Sequence, residues 1–230
     1  VVSVPADTVV DVRGLEKSYL RGDEHVHALR EVTLVLHPGE LVALVGPSGS
    51  GKSTLLNVLC GWEKPDDGSM RWTAELAGTS PDRLPWGRLA IIPQALGLLD
   101  DLTVAENILL PARLTGRLAE LHPRADELME SLGIAHLADR YPKQTSLGEQ
   151  QRCAASRALL LSPTLLLADE PTAHQDSGWT DAIFARFREL LRDGGACLIA
   201  THNPETWGYA DRVLSMHDGY LTEGAPDPVH

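Results

Sequence analysis

Strand-like apolar runs predominate from residue 9 to 92, and helical periodicity takes over after residue 95. Val9 to Leu15 reads as a strand, and Ala28 to Leu36 reads as a second, with alternating Leu29, Val32, Leu34 and Leu36. Between them Arg21-Gly22-Asp23-Glu24 is a turn. His37-Pro38-Gly39-Glu40 turns tightly into Leu41-Val42-Ala43-Leu44-Val45, a short apolar run that reads as a buried strand. Ser53 to Leu59 has helical spacing. Pro65-Asp66-Asp67-Gly68 is another turn, with a short strand around Met70-Arg71-Trp72, and Leu89 to Ile92 is a strand ended by Pro93.

Three helical stretches follow. Thr103 to Leu114 opens on a capping box, Thr103 with Glu106 three residues on. Leu118 to Leu132 stops at Gly133, and Leu147 to Leu161 is the third, so residues about 96–156 read as an all-helical lobe. Strand texture then returns: Leu165 to Ala168 is buried, Trp179 to Arg192 is a helix, and Ala196 to Thr201 is a strand. Arg212 to Met216 and Tyr220 to Glu223 form a closing hairpin around Asp218-Gly219.

Between the buried strand and the first helix lies Gly46-Pro47-Ser48-Gly49-Ser50-Gly51-Lys52-Ser53, which fits the phosphate-loop pattern G-x-x-x-x-G-K-[ST]. Glycines let the backbone curl and aim several N–H groups at one anion. Lys52 reaches the outer phosphates, the Ser53 hydroxyl can ligate Mg²⁺, and Thr54 continues into the helix whose N-terminus faces the anion. The loop alone is shared by kinases, GTPases, helicases and transport ATPases.

Composition narrows this. A length of 230 residues suits one domain or one domain with an inserted lobe. A net charge of −12 argues against a nucleic-acid backbone binder and against unaided docking on anionic lipid. No run approaches the length of a membrane span, and Val1 to Pro5 does not resemble a signal peptide. Cys60, Cys153 and Cys197 read as reduced thiols packed in the core of a cytosolic protein. There is no Cys/His metal spacing, His25 and His27 suit a solvated hairpin, and packing is the expectation for Trp62, Trp72, Trp86, Trp179 and Trp207.

Leu165-Leu166-Leu167-Ala168-Asp169-Glu170 is a strand ending in acid. Beside a phosphate loop, Asp169 can sit near Mg²⁺ and Glu170 can polarise the attacking water. Thr145-Ser146-Leu147-Gly148-Glu149-Gln150-Gln151-Arg152 opens a helix whose N-terminus suits an anion.

That last segment resembles the signature of ABC transporter nucleotide-binding subunits. Ser146, Gly148, Glu149, Gln150, Gln151 and Arg152 match it, while Thr145 and Leu147 depart from the usual Leu and Gly. The resemblance covers nearly the whole chain. It implies an α/β fold: a P-loop NTPase core over about 1–95 and 157–230, an N-terminal antiparallel β subdomain, and the helical signature lobe. It also implies that Gln94 ligates Mg²⁺ or the lytic water, that His202 contacts the γ-phosphate, and that Tyr19 stacks on adenine. Ala173-His174-Gln175-Asp176 takes the D-loop place, with only Asp176 as expected.

Two such domains would face head to tail as a homodimer or heterodimer. Each ATP would lie between one phosphate loop and the other subunit's Ser146, Gly148 and Glu149. A permease on a separate chain would hold the pair at the cytoplasmic face of a membrane. Tyr19 to Ala28 and Leu102 to Asn107 with Pro111 resemble the lipoprotein-release and macrolide-export branch. Two alternatives remain at this point. One is an ABC ATPase driving a non-transport process, such as mechanical signalling through a membrane partner. The other is an asymmetric heterodimer half in which Leu147 weakens the signature.

Overall fold

The computed structural model of the chain describes residues 8–22, 24–72 and 87–225. Asp23, Trp86 and the segment Val1 to Pro5 lie outside them. Two sheets and a set of helices carry the site. The smaller sheet is antiparallel, in the order β2-β1-β4, with β1 Val10–Arg21, β2 Glu24–Leu36 and β4 Asp67–Trp72. The larger has six strands in the order β5-β6-β7-β3-β8-β9: β3 Leu41–Val45, β5 Leu89–Ile92, β6 Leu165–Asp169, β7 Ala196–Thr201, β8 Arg212–His217 and β9 Tyr220–Glu223. All its neighbours are parallel except β8 and β9, which form the hairpin expected around Asp218-Gly219.

Alternation along the parallel strands divides the core in two. Leu165 and Leu167 of β6, Ala196 and Leu198 of β7, and Val42 and Leu44 of β3 pack with α1 (Lys52–Leu59) and the antiparallel sheet. Leu166, Ala168, Cys197, Ile199 and Leu41 point the other way. There they meet α5 (Ser177–Arg192) and the helical stretch of α2 (Val104–Leu114), α3 (Leu118–Ser131) and α4 (Leu147–Leu159). Burial on both faces is what makes these strands read as unbroken apolar runs. Each fully buried leucine contributes about 2 kcal/mol.

The β1–β2 hairpin is longer than its apolar alternation suggested, pairing out to Ser18 with His27 and Tyr19 with Val26. Apolar alternation reports burial, and the outer half of this hairpin has exposed faces, so its pairing leaves no such trace. A bulge also hides in β2. Leu15 pairs with Val32 but Lys17 with Leu29, and Glu31 takes a left-handed φ of 50°. The extra residue lets Leu29 and Val32, three apart, both face the core.

The expected capping box of α2 is present, and α4 has one as well. Trp179 packs rather than reacts. The Arg152 guanidinium lies 4.3 Å from its ring centroid, and a β-carbon on Gly133 would stand 2.0 Å from Trp179 Cη2. The chain therefore needs glycine there both for its φ of 65° and for the indole.

Candidate functional site

The phosphate loop is shaped from outside as much as by its own glycines. Gly46 has φ 148°, and a β-carbon there would lie 2.1 Å from the Met216 carbonyl oxygen of β8. At Gly51, φ 110°, it would lie 2.2 Å from the Ala28 carbonyl oxygen of β2. The β8–β9 turn ties the loop down: Gly219 N–H donates to Ser50 O at 3.0 Å, and Gly219 O accepts from Arg30 N–H at 2.9 Å. Helix α1 starts at Lys52 with no side-chain cap and no acidic residue in its first turn, so its N-terminal N–H groups remain for an anion. Lys52 Nζ donates to Gly46 O at 2.8 Å and to Pro47 O at 2.9 Å. Burial pulls the Lys52 ammonium below its usual range, against the opposing pull of Glu170 and Asp169.

Across the cleft, β6 ends at the loop. Ser53 Oγ donates to Asp169 Oδ2 at 2.6 Å. Burial pushes the Asp169 carboxyl up, with the Ser53 hydrogen bond working the other way. A hydroxyl and a carboxylate side by side are the hard oxygen donors that suit Mg²⁺, which keeps several waters and takes phosphate oxygens. No three His, Cys, Asp or Glu side chains among the described residues group around a metal position; the oxygen donors in this cleft are Ser53, Asp169 and Gln94.

Glu170 takes φ 51°, rare for a residue with a β-carbon. Its carboxylate is held on both oxygens. Thr201 Oγ1 donates to Oε2 at 3.0 Å, His202 N–H donates to Oε1 at 2.9 Å, and His202 Nδ1 lies 2.5 Å from that same Oε1. Thr201 escaped the reading of the sequence because a strand-end threonine looks like any other β-branched residue.

These groups line one cleft of about 690 Å³. It takes in Tyr19, Ser48, Gly49, Gly51, Lys52, Ser53, Thr54, Gln94, Asp169, Glu170 and His202. Gly46, Pro47 and Ser50 serve from behind, through the carbonyls that hold Lys52 and through the buried Ser50. The Tyr19 hydroxyl donates to Glu63, and burial first, that bond second, pushes its pKa up to about 12. Gln94 sits on a bend organised by two residues that the sequence reading gave no role there. Arg157 donates to Leu96 O and Gly97 O, each at 2.7 Å. Fully buried Asn107 accepts from Leu99 N–H at 2.9 Å and donates to the carbonyls of Leu99, Leu102 and Thr103, each at 3.0 Å.

Ser146, Gly148, Glu149 and Asp176 are not in this cleft within one chain. Ser146 and Glu149 cap α4 reciprocally: Ser146 N–H donates to Glu149 Oε2 at 2.7 Å and Glu149 N–H to Ser146 Oγ at 3.3 Å. The first of these holds the Glu149 carboxyl below its usual range. Asp176 caps α5 by accepting from Trp179 N–H at 2.9 Å. Leu147 is helical with its side chain 46% exposed, and its φ is not in the left-handed region, so its β-carbon strains nothing.

A phosphate loop on a parallel sheet, an acid pair at the end of β6 and a helical insertion define a nucleoside triphosphatase cassette. A family profile described as "ABC transporter" matches residues 29–173. The chain is 41% identical over 230 residues to the lipoprotein-releasing system ATP-binding protein LolD of Maricaulis maris, covering 96% of this chain and 99% of that one. It is 37% identical to the macrolide export ATP-binding/permease protein MacB of Salmonella choleraesuis, covering 95% of this chain and 34% of that one. Among solved structures, a dimeric ATP-binding cassette in a post-hydrolysis state bound to ADP and Pi superposes with a TM-score of 0.83. It shares 31% identity and covers 93% of this chain and 98% of that one. The chain belongs to the ABC transporter family, as one of its ATP-binding and ATP-hydrolysing cassettes.

Proposed function

We propose that the chain powers a transporter of the lipoprotein-release and macrolide-export branch. It works as one ABC ATPase unit, core about 1–95 and 157–230 and signature lobe about 96–156, paired with a second cassette. A permease on another polypeptide holds the pair at the cytoplasmic face of a membrane. The branch rests on the LolD and MacB likenesses over nearly all of this chain. Among the described residues no helix is long and apolar enough to cross a membrane, which suits a cassette docked to a separate spanning protein.

The observation that carries the chemistry is the Glu170 carboxylate, fixed by Thr201 and His202 at the strand end beside Lys52. ATP is the substrate. Glu170 takes the proton of a water whose oxygen bonds to the γ-phosphorus, and the bond from that phosphorus to the bridging oxygen of ADP breaks. Lys52 and the loop N–H groups hold the phosphates, and His202 faces the γ-phosphate. Ser53 and Asp169, with Gln94 nearby, would hold Mg²⁺, which neutralises phosphate charge when bound. Tyr19 forms the base platform. Ser146 and the first-turn N–H groups of α4, with Gly148, would meet the partner's ATP, and Asp176 would lie at the same dimer seam. Glu149 supports that seam as the cap of α4.

The test is Glu170→Gln. It is expected to keep ATP binding, to lock an ATP-dependent dimer visible by light scattering, and to lower phosphate release by at least about 100-fold. Hydrolysis at the parent rate would remove Glu170 from the base role. Copurification and substrate flux with a permease having a large extracytoplasmic domain test the branch.

A further inference from the structure

Gln175, in the stretch between Glu170 and α5, has every polar atom of its side chain engaged. Its Nε2 donates to Gly148 O at 2.8 Å and to Gln151 Oε1 at 3.0 Å, and its Oε1 accepts from Arg152 Nη1 at 2.7 Å. The three partners sit at spacings of three and four on one face of the first turns of α4. Gln151 is buried and carries the contact onward. Its Nε2 donates to the Glu170 carbonyl oxygen at 2.6 Å, and its Oε1 also accepts from His174 N–H at 3.3 Å. Close approach depends on Gly148, where a β-carbon would stand 2.8 Å from His174 O.

The far end of this chain of contacts is the left-handed residue of the site. A backbone at φ 51° with a β-carbon persists only when its surroundings over-determine it. At Glu170 those surroundings are Ala200 O accepting from its N–H at 2.9 Å, Thr201 and His202 on its carboxylate, and on its carbonyl Gln151 at 2.6 Å together with the longer bond from Ala173 N–H at 3.3 Å. Releasing Gln175 frees Gln151 to follow, and the carboxylate turns with the backbone that carries it.

We propose that Gln175 is a positioning residue that couples the first turn of α4 to the backbone setting of Glu170 in the same chain. Whatever presses on that first turn biases the base. In the dimer of the proposed function, on which this inference rests, that is the nucleotide held by the partner. The coupling lies within one chain, in a side chain outside the nucleotide cleft of that chain.

The experiment compares Gln175→Met, which keeps length and removes all three bonds, with Gln175→Glu, which keeps only an acceptor for Arg152. It adds Gln151→Met and the double variant Gln151→Met/Gln175→Met, with melting curves reporting folding. Both Gln175 variants are expected to lower kcat about tenfold with the half-saturating ATP concentration changed by less than about twofold. The Hill coefficient for ATP falls toward unity, a readout that simple destabilisation does not move. The double variant is no slower than the slower single by more than about twofold, because one path is cut twice. A Gln175→Glu protein with the parent rate and Hill coefficient overturns the inference, as do losses that multiply in the double variant. A parent protein that releases no phosphate overturns the functional reading and this inference together. An active parent with unchanged Gln175 variants overturns this inference alone.

Discussion

The Ser53 hydroxyl donates to Asp169 Oδ2 at 2.6 Å, joining residues 116 apart in sequence. The bond closes the cleft between α1 and the end of β6 and brings two oxygen donors to one point. Removing the hydroxyl leaves a carboxylate whose burial already pushes it toward the neutral form.

Ser53→Ala is therefore expected to raise the Mg²⁺ concentration for half-maximal hydrolysis by at least about tenfold, with the melting temperature little changed. A magnesium titration of phosphate release checks it. An unchanged magnesium requirement would place the cation elsewhere.

Leu147 presents a half-exposed side chain from the first helical position of α4, on the face that would meet the partner's nucleotide. Since its backbone is unstrained, its effect lies in the side chain. Leu147→Gly is expected to raise homodimer ATPase activity several-fold at a stability cost below about 1 kcal/mol. Equal rates and equal ATP-driven dimerisation would show that leucine is accommodated there.

Asn107 holds the bend beyond Gln94 through four hydrogen bonds from a fully buried position. Asn107→Ala removes the partner of the Leu99 N–H and of the Leu102 carbonyl, while the Leu99 and Thr103 carbonyls keep backbone partners, and is expected to cost about 2 kcal/mol. Denaturant unfolding measures that cost. Hydrolysis stimulated by the permease is expected to fall more than basal hydrolysis, since the segment Asn107 holds leads from the Gln94 turn into α2.

The thiols give a pH test. Burial pushes Cys60 up to about 11 and Cys153 up to about 12, and raises Cys197 as well. At pH 8 the native protein should alkylate at Cys60 more than about 100-fold slower than free cysteine, with the rate climbing as pH rises. Cys153 and Cys197 should label only on unfolding. The stability linked to the raised Cys60 value is full below the range of an unfolded thiol and is lost as pH rises towards about 11. Mass spectrometry of labelled peptides resolves the three sites.

Local chemistry explains which features were legible in the chain alone. The phosphate loop, the strand ending in Asp169 and Glu170, and the box of Thr103 and Glu106 are each written in neighbouring residues, so residue type and spacing suffice. The central strands β3, β6 and β7 were visible because burial makes them apolar. The outer β1–β2 hairpin showed only as the turn at Arg21 to Glu24 and the solvated His25 and His27; the reach of its strands did not show, since its exposed faces pair through backbone groups that no side chain announces.

Residue types and their order thus determined that this chain folds as an ABC ATPase cassette and which groups can hold a nucleotide. Tertiary structure alone decided that Thr201 and His202 grip the Glu170 carboxylate, that Asn107 and Arg157 shape the Gln94 bend, and that Gln175 clasps α4. Those bonds join strand ends, loops and helix turns that are distant in sequence. Their partners are set by how the sheet and the helical stretch pack, and a hydroxyl or amide read singly carries no sign of which carbonyl or carboxylate it will meet.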